Sequence, residues 1–150
     1  MRPSPFVNPE MRRIDLAEGD YLIVRRRLNA GETRAAFVRM SFLTPDGSRR
    51  IDWMQYGPTL AAAYLLDWSF ADKEGLPVVI RGLTPEQVTP VLDNLDPLDF
   101  GEVRDAIEAH HEAAEAAAAA EKKTRSGSPP PAVILPSPPA AAGVSSGFAS

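Results

Sequence analysis

The chain has no cysteine, only two histidines and no apolar run long enough to span a bilayer. The absence of thiols excludes disulfide bridges and thiolate metal sites, and it is typical of proteins of a reducing compartment. A membrane-spanning helix needs about 20 apolar residues, and a secretory leader joins a basic start to an apolar stretch. Neither pattern occurs, so we expect a cytoplasmic protein without a membrane segment.

Motifs that would support catalysis are also missing. No Gly-rich phosphate loop and no serine in a nucleophile elbow occurs. The Glu108-x-x-His111 spacing matches half of a di-iron site, which needs a second copy, and Glu115 stands where a zinc protease needs its second histidine. We interpret His110 and His111 as solvated side chains on a polar helix.

Asp67 is the remaining candidate for an acid in a pocket, because it lies beside Trp68 in an otherwise apolar stretch. A carboxylate in such a place more often caps a helix or accepts a hydrogen bond. We therefore expect no enzyme, no metal site and no cofactor.

Charge is spread unevenly along the chain. Residues 1–58 hold ten arginines against seven acids, a balance of +3, whereas residues 59–150 have a balance of −7. A surface polarised in this way favours association with complementary polypeptides. Arg25, Arg26 and Arg27 form the densest basic cluster, which suits either a solvated strand end or an RNA-binding patch, and we favour the strand end.

Composition divides the chain into three parts. Residues 1–10 hold three prolines, and residues 126–150 are rich in Pro, Ala and Ser, so we predict a disordered arm and a disordered tail around one domain at 11–125. The fold class expected for that domain is α+β and mostly helical. A small N-terminal β-hairpin would pack on a four-helix-type body whose last helix is long and Ala/Glu-rich.

The N-terminal half of the domain carries two local signals. Ile14–Leu16 and Tyr21–Arg25 alternate around a Gly-Asp turn, which predicts the hairpin. Asn29 and Glu32 have the spacing of a capping box, which predicts a helix continuing to the Asp46-Gly47 turn. Its expected core-facing residues are Ala36, Phe37, Met40 and Leu43. Residues 49–56 fit either a strand or the start of the next helix.

The stretch from Gly57 to Leu95 predicts the core. Pro58 suits the first turn of a helix, and Leu60, Tyr64 and Trp68 are spaced by four residues, so they would share one helical face. A charged turn at 71–75 would lead into a short edge strand at 77–80. Thr84, Pro85 and Gln87 then predict a capped helix, which Pro90 should keep short or kink.

The last helix is predicted from Pro97 or Asp99 to about Arg125. Asp99 and Glu102 have capping-box spacing, and Phe100, Val103 and Ile107 form one apolar stripe. Beyond Ile107 no large apolar residue follows until Arg125. The distal half should therefore project or fray unless a partner covers it.

Two stretches of the chain resemble the tail assembly chaperones of long-tailed (siphovirus-like) bacteriophages. RRIDLAEGDYLIVRRRLNAGE is similar to their opening β segment, Arg-rich strand and Gly-Glu helix start. AAAYLLDWSFADKEGLPVVI, followed by a short helix and an Ala/Glu helix ending in Lys-Lys, is similar to their later part. The resemblance covers about residues 12–123.

The resemblance implies a function in virion morphogenesis inside the host cell. Proteins of this family bind the tape-measure protein and keep it soluble while tail-tube subunits polymerise around it, and they are generally absent from the virion. Many also exist in a longer form made by ribosomal frameshifting. Lys122-Lys123 or Pro129–Pro131 are candidate slippery positions for such a frameshift.

The expected contacts are with other polypeptides. The tape-measure protein, the tail-tube protein and a second copy of the chain are the candidate partners, and nucleic acid and membrane are not expected. Two alternatives stay open: a nucleic-acid-binding regulator using the Arg clusters at 25–27 and 49–50, and a structural tail completion protein. The partner-binding residues we predict are Trp53, Tyr56, Phe100, Val103 and Ile107, with tail docking through Val133, Ile134 and Leu135.

Overall fold

The computed structural model describes residue 5 and residues 9–126. Nearly all of the predicted arm and tail, including the docking residues Val133, Ile134 and Leu135, lies outside the described residues. Within them the fold is α+β and mostly helical, as predicted, with a small antiparallel sheet packed on helices.

The elements follow one another with short connections. The strands are β1 (Met11–Asp15), β2 (Tyr21–Arg25), β3 (Ser41–Leu43), β4 (Arg49–Ile51) and β5 (Leu65–Trp68). The helices are α1 (Ala30–Arg39), α2 (Trp53–Tyr64), α3 (Pro85–Asp93) and α4 (Pro97–Ser126), and a 3-10 turn at Ala17–Gly19 joins β1 to β2.

The predicted N-terminal hairpin is confirmed, and it belongs to a three-stranded sheet in the order β1-β2-β5. All its pairings are antiparallel, and the register shifts between Ile23 and Val24 where β2 meets β5. Leu22 and Val24 point from the central strand into the core and are fully buried. Alternation of side chains along β2 therefore places one face of the sheet on the helices.

Helix α2 begins earlier than the sequence predicted. Asp52 caps it by accepting a hydrogen bond from the Met54 N–H, so Pro58 lies inside the helix and not at its start. Proline at this position removes the hydrogen bond to the Met54 carbonyl. That loss is tolerated because the Met54 residue is exposed, where water can bond its carbonyl. Residues 49–56 are therefore divided between β4 and the first turn of α2.

The C-terminal end of α2 also corrects the predicted helical face. Leu60 and Tyr64 are buried helical residues, but Trp68 belongs to β5, where it pairs with Leu22. The chain passes from helix to strand at Leu65 without a turn residue. Leu65, Asp67 and Trp68 pair with β2, and this tertiary interaction overrides the helical spacing.

Helix α1 is shorter than predicted, and a hairpin follows it. The Asn29–Glu32 capping box is confirmed, but the helix ends at Arg39 and β3–β4 takes up the segment expected to be helical. Ala36 and Met40 are buried as predicted, whereas Phe37 and Leu43 are exposed. A Pro-Asp-Gly turn at 45–47 reverses the chain, and Thr44 and Ser48 both donate hydrogen bonds to Asp46.

The connection from β5 to α3 is only partly as predicted. The turn at 71–75 is confirmed, with Asp72 accepting hydrogen bonds from the N–H groups of Glu74 and Leu76. The strand expected at 77–80 is reduced to a single bridge between Ala71 and Pro77. The Trp68 indole N–H donates to the Val78 carbonyl at 2.7 Å, so this carbonyl is paired with a side chain and not with the backbone of another strand.

The last two helices begin with well-defined caps. The Thr84–Gln87 capping box of α3 is confirmed, and α3 is short, as Pro90 predicted. Helix α4 begins at Pro97 within the predicted range, but its first turn is capped by Asp96, which accepts from the Leu98 N–H. The expected Asp99–Glu102 box is wrong, because Glu102 accepts a hydrogen bond from the Ala17 N–H instead.

We predict that Ile107→Ala destabilises the protein by roughly 2–5 kcal/mol, because this fully buried side chain would leave a cavity in the core. Leu98→Ala on the same helix is the matched control, since Leu98 is largely exposed and its removal should change stability by less than about 0.5 kcal/mol. Urea unfolding of both variants measures the difference. Equal unfolding midpoints would contradict the packing of α4.

Candidate functional site

The predicted partner-binding residues separate into two groups in the structure. Val103 and Ile107 are 0% exposed, and Phe100 is half-buried against the same core. Their stripe on α4 is covered by α2, so the expectation that it offers a surface to a partner is corrected for Val103 and Ile107. Trp53, by contrast, is 49% exposed on the first turn of α2.

Trp53 and Tyr56 form an aromatic pair at the start of α2. Their ring centroids are 5.4 Å apart at an interplanar angle of 46°. Tyr56 is half-buried, and burial together with the carboxylates of Glu108, Glu112 and Glu115 raises its pKa. The phenol therefore stays neutral at physiological pH, and the pair presents an apolar edge with Trp53 outermost.

Large exposed apolar side chains occur in the segments that adjoin Trp53. They come from the last turn of α1, from β3 and from the first turn of α2, and we call this set the hairpin surface: Phe37, Val38, Phe42, Leu43, Trp53 and Met54. Single exposed apolar residues are common on soluble proteins, but several from adjoining segments make this region the candidate interaction site.

Backbone contacts bring the three segments of the hairpin surface together. The Asp52 N–H donates to the Met40 carbonyl at 2.7 Å, which holds the start of α2 beside the end of α1. The Ser41 hydroxyl donates to the Phe37 carbonyl at 2.6 Å, which fixes β3 against the same helix. Ile51 is half-buried on the core and anchors the other strand.

Sequence reasoning missed most of the hairpin surface, although one signal was present. Thr-Pro-Asp-Gly-Ser at 44–48 is a turn sequence between two short apolar or β-compatible runs, which is the pattern of a hairpin. The prediction extended α1 through residue 44, and it therefore placed Phe37 and Leu43 in the core. Trp53 is the predicted site residue that the structure places on this surface, with Tyr56 beside it.

The histidines of α4 are half-buried and hydrogen-bonded, which corrects the interpretation of them as solvated side chains. His111 Nδ1 and the Tyr64 hydroxyl are 2.9 Å apart, and His110 Nε2 lies 2.8 Å from the Arg25 carbonyl. Because a carbonyl can only accept, His110 Nε2 carries the proton of that bond. Both imidazoles also meet the Tyr64 ring edge-on, so α4 is joined to α2 and to the end of β2.

The basic cluster at the end of β2 is largely neutralised by contacts within the chain. Arg25 donates to the Ala63 carbonyl and lies 3.2 Å from Glu32. Arg26 pairs with Glu10 at 3.4 Å, and Arg26 and Arg27 lie 3.8 and 4.0 Å from Glu121. The side chains of the last two arginines line a groove of about 110 Å³ against the alanines of α4.

Asp67 is a hydrogen-bond partner, in agreement with the sequence interpretation. Its carboxylate accepts from the Trp68 N–H and, at 2.6 Å, from the Arg81 guanidinium. The bond with Arg81 lowers the pKa of Asp67, with a further contribution from the Trp68 backbone bond. The carboxylate is therefore ionised and committed to two donors.

We predict that Tyr64→Phe lowers stability by about 0.5–1.5 kcal/mol, because it removes the hydrogen bond to His111 from a buried site. Tyr56→Phe is the matched control, since Tyr56 is half-buried and its change should be nearly neutral. Chemical unfolding at neutral pH measures both. A larger loss in the control than in Tyr64→Phe would contradict the assigned bond.

Tyr64 also gives a pH dependence with a defined sign. Burial, reinforced by Glu115, raises the pKa of Tyr64 from 10.0 to about 12. Since the folded-state pKa is raised, this residue's contribution is fully present below pH 10 and is lost as pH rises towards 12. We expect the stability difference between wild type and Tyr64→Phe to shrink across that range in urea titrations. A difference that grows with pH would contradict it.

The described residues contain neither a metal-ligand cluster nor a membrane-spanning helix. No grouping of three or more histidine or acidic side chains is placed to hold a metal ion in the part of the chain that the structure describes. Among the same residues, no helix combines the length and apolarity that crossing a membrane requires. Comparison with known proteins also gives no match, whether with protein-family models, curated proteins or solved structures.

Proposed function

We propose that this protein is a tail assembly chaperone of a long-tailed bacteriophage, which binds the tape-measure protein and keeps it soluble while tail-tube subunits assemble around it. The observation that carries the proposal is the hairpin surface, a set of large apolar side chains left uncovered by a chain that has a complete core elsewhere. The resemblance of residues 12–123 to that family supplies the identity of the client.

The hairpin surface suits reversible binding of an apolar polypeptide. A tape-measure chain is long and helical, and its apolar stripes aggregate unless another surface covers them. Aromatic and methionine side chains dominate protein interfaces because they bury much area and adapt to different partners. Phe42 and Trp53 are each about half exposed, so each can bury further area on a client.

A chaperone also has to keep its own fold while the client comes and goes. The hairpin surface lies outside the buried set centred on α2, and it is attached to that set by Ile51 and by the Asp52–Met40 backbone bond. Covering or uncovering Phe42 and Trp53 therefore leaves Leu60, Tyr64 and the sheet in place. This separation supports a binding function rather than a folding role for the exposed apolar residues.

The nucleic-acid alternative loses support at one of its two basic clusters, residues 25–27. Each arginine of the cluster at 25–27 has a carboxylate within 4.0 Å, so little of its charge is left for phosphates. Phosphate recognition depends on cations that can replace counterions, and already paired guanidiniums do this poorly.

We predict that Phe42→Ser combined with Trp53→Ser reduces recovery of co-expressed tape-measure protein by at least about tenfold, because central aromatic contacts contribute on the order of 2 kcal/mol each. Leu76→Ser with Val79→Ser is the matched control, since both side chains are exposed apolar groups outside the hairpin surface. Affinity co-purification with circular dichroism of each variant makes the measurement.

Equal loss in the two double variants would remove the hairpin surface from the proposal. Tail assembly without the protein, with the tape-measure protein still soluble, would overturn the function itself. Mass spectrometry of purified particles separates a chaperone, which should be absent, from a tail completion protein, which should be present.

A further inference from the structure

Arginine side chains that are not paired with a carboxylate lie next to residues of the hairpin surface. In the antiparallel register of β3 and β4, Phe42 lies opposite Arg50 and Leu43 lies opposite Arg49. Directly opposed side chains on paired strands are neighbours on the same face of the hairpin. On α1, Arg34 precedes Phe37 and Val38 by three and four residues, which places it one turn away on their side of the helix.

These arginines are not neutralised by the chain in the way that the cluster at 25–27 is. Within the described residues, the side chains of Arg34 and Arg50 have no ion pair or hydrogen bond, and the Arg49 guanidinium donates only to the Ser41 hydroxyl. All three are exposed. Their charge is therefore available to a partner that covers the apolar side chains.

The acids of the same region are already committed. Asp46 accepts from the Ser48 N–H and from the Thr44 hydroxyl, and these bonds lower its pKa. Asp52 caps α2, and Glu32 completes the cap of α1 and lies 3.2 Å from Arg25. The donors to Asp46 and Asp52 are neutral, so these two carboxylates keep their charge. Against them stand the three arginines Arg34, Arg49 and Arg50, so the formal excess beside the hairpin surface is positive, and its complement is a carboxylate.

We propose that the hairpin surface selects an amphipathic helix whose apolar stripe is bordered by Asp or Glu, with Arg34 and Arg50 contacting those acids. This inference rests on the proposed function, and it specifies which segments of the client are bound. Apolar contact supplies the affinity, and opposite charge at the rim sets the choice among segments and the rate of association.

A polypeptide fits this arrangement better than a lipid surface or RNA does. Phe42 with Arg50 and Leu43 with Arg49 point to opposite faces of the hairpin, because neighbouring strand residues alternate. A flat anionic bilayer can contact one of those faces only, whereas a polypeptide can contact a face and the adjoining end of α1. RNA would use the arginines but would leave Val38, Leu43 and Met54 exposed to water.

The test uses the full-length protein and two synthetic helical peptides as probes. Both peptides carry the same leucine stripe, and one has glutamate beside the stripe while the other has lysine. The protein variant is Arg34→Glu with Arg50→Glu, and the matched control is Arg12→Glu with Lys73→Glu, which makes the same change in net charge at exposed sites outside the hairpin surface. Fluorescence anisotropy measures binding at low and at high salt.

We expect wild type and control to bind the glutamate peptide roughly three- to tenfold more tightly than the lysine peptide at low salt, and Arg34→Glu with Arg50→Glu to reverse that preference. High salt should reduce the preference to less than about twofold, since exposed charges are screened. Binding of both peptides should fall when Phe42→Ser and Trp53→Ser are introduced.

Equal affinity for the two peptides, or a preference that survives in the Arg34→Glu, Arg50→Glu variant, would overturn the inference while leaving the proposed function intact. Failure of the wild-type protein to bind either peptide, with tape-measure binding still lost in the Phe42→Ser, Trp53→Ser variant, would overturn the helical client as well. Wild-type binding to phosphatidylglycerol vesicles or to single-stranded RNA that is tighter than to the glutamate peptide, and abolished by the arginine reversals, would assign the surface to that ligand instead.

Discussion

Burial of the C-terminal half of α2 on all sides is the constraint on which the rest of the structure depends. From Thr59 to Tyr64 each residue of this helix is buried, and α1, α3 and α4 all pack against it. An apolar helix of this kind is stable only when neighbours enclose it. Gly57 allows the closest of these approaches, because a Cβ there would lie 2.8 Å from the side chain of Arg104 on α4.

Most elements of the fold pack into the one core around α2. The β3–β4 hairpin is the part that adds little to this core. The sheet, α3 and the first half of α4 all contribute side chains to the single core cluster. The β3–β4 hairpin has three residues in each strand, and it attaches to the core through Met40 and Ile51. A two-stranded hairpin is marginally stable alone, and the binding role proposed above accounts for its exposed aromatic residue.

The elements that sequence predicts well here are those whose signals are local. The Asn29 and Thr84 caps and the turn at 71–75 each depend on a few neighbouring residues, and each is confirmed. The errors occur where distant contacts decide. Trp68 lies in a strand and not in the predicted helix, because it pairs with Leu22 of β2. The predicted Asp99–Glu102 capping box does not form, because Glu102 accepts a hydrogen bond from the Ala17 N–H. Spacing along the chain contains no information about either contact.

The same reasoning explains why the candidate site was only partly predicted. Phe100, Val103 and Ile107 form an apolar stripe on a helix, and such a stripe is covered either by the protein's own core or by a partner. Sequence alone does not distinguish burial in the core from burial by a partner. In this structure the stripe is buried in the core, against α2. Trp53 differs because it follows the Asp52 cap in the first turn of a helix, where one side faces solvent.

The histidines show how a polar-looking helix can still be fixed in place. His110 and His111 are adjacent, so their side chains are about 100° apart around α4. The Tyr64 ring lies edge-on to both imidazoles, and its hydroxyl lies within hydrogen-bonding distance of His111. Polar groups thus continue the attachment of α4 beyond Ile107, the last large apolar residue of that helix. The rigid junction holds α2 and α4 together at one end, while the hairpin surface lies at the opposite, N-terminal end of α2.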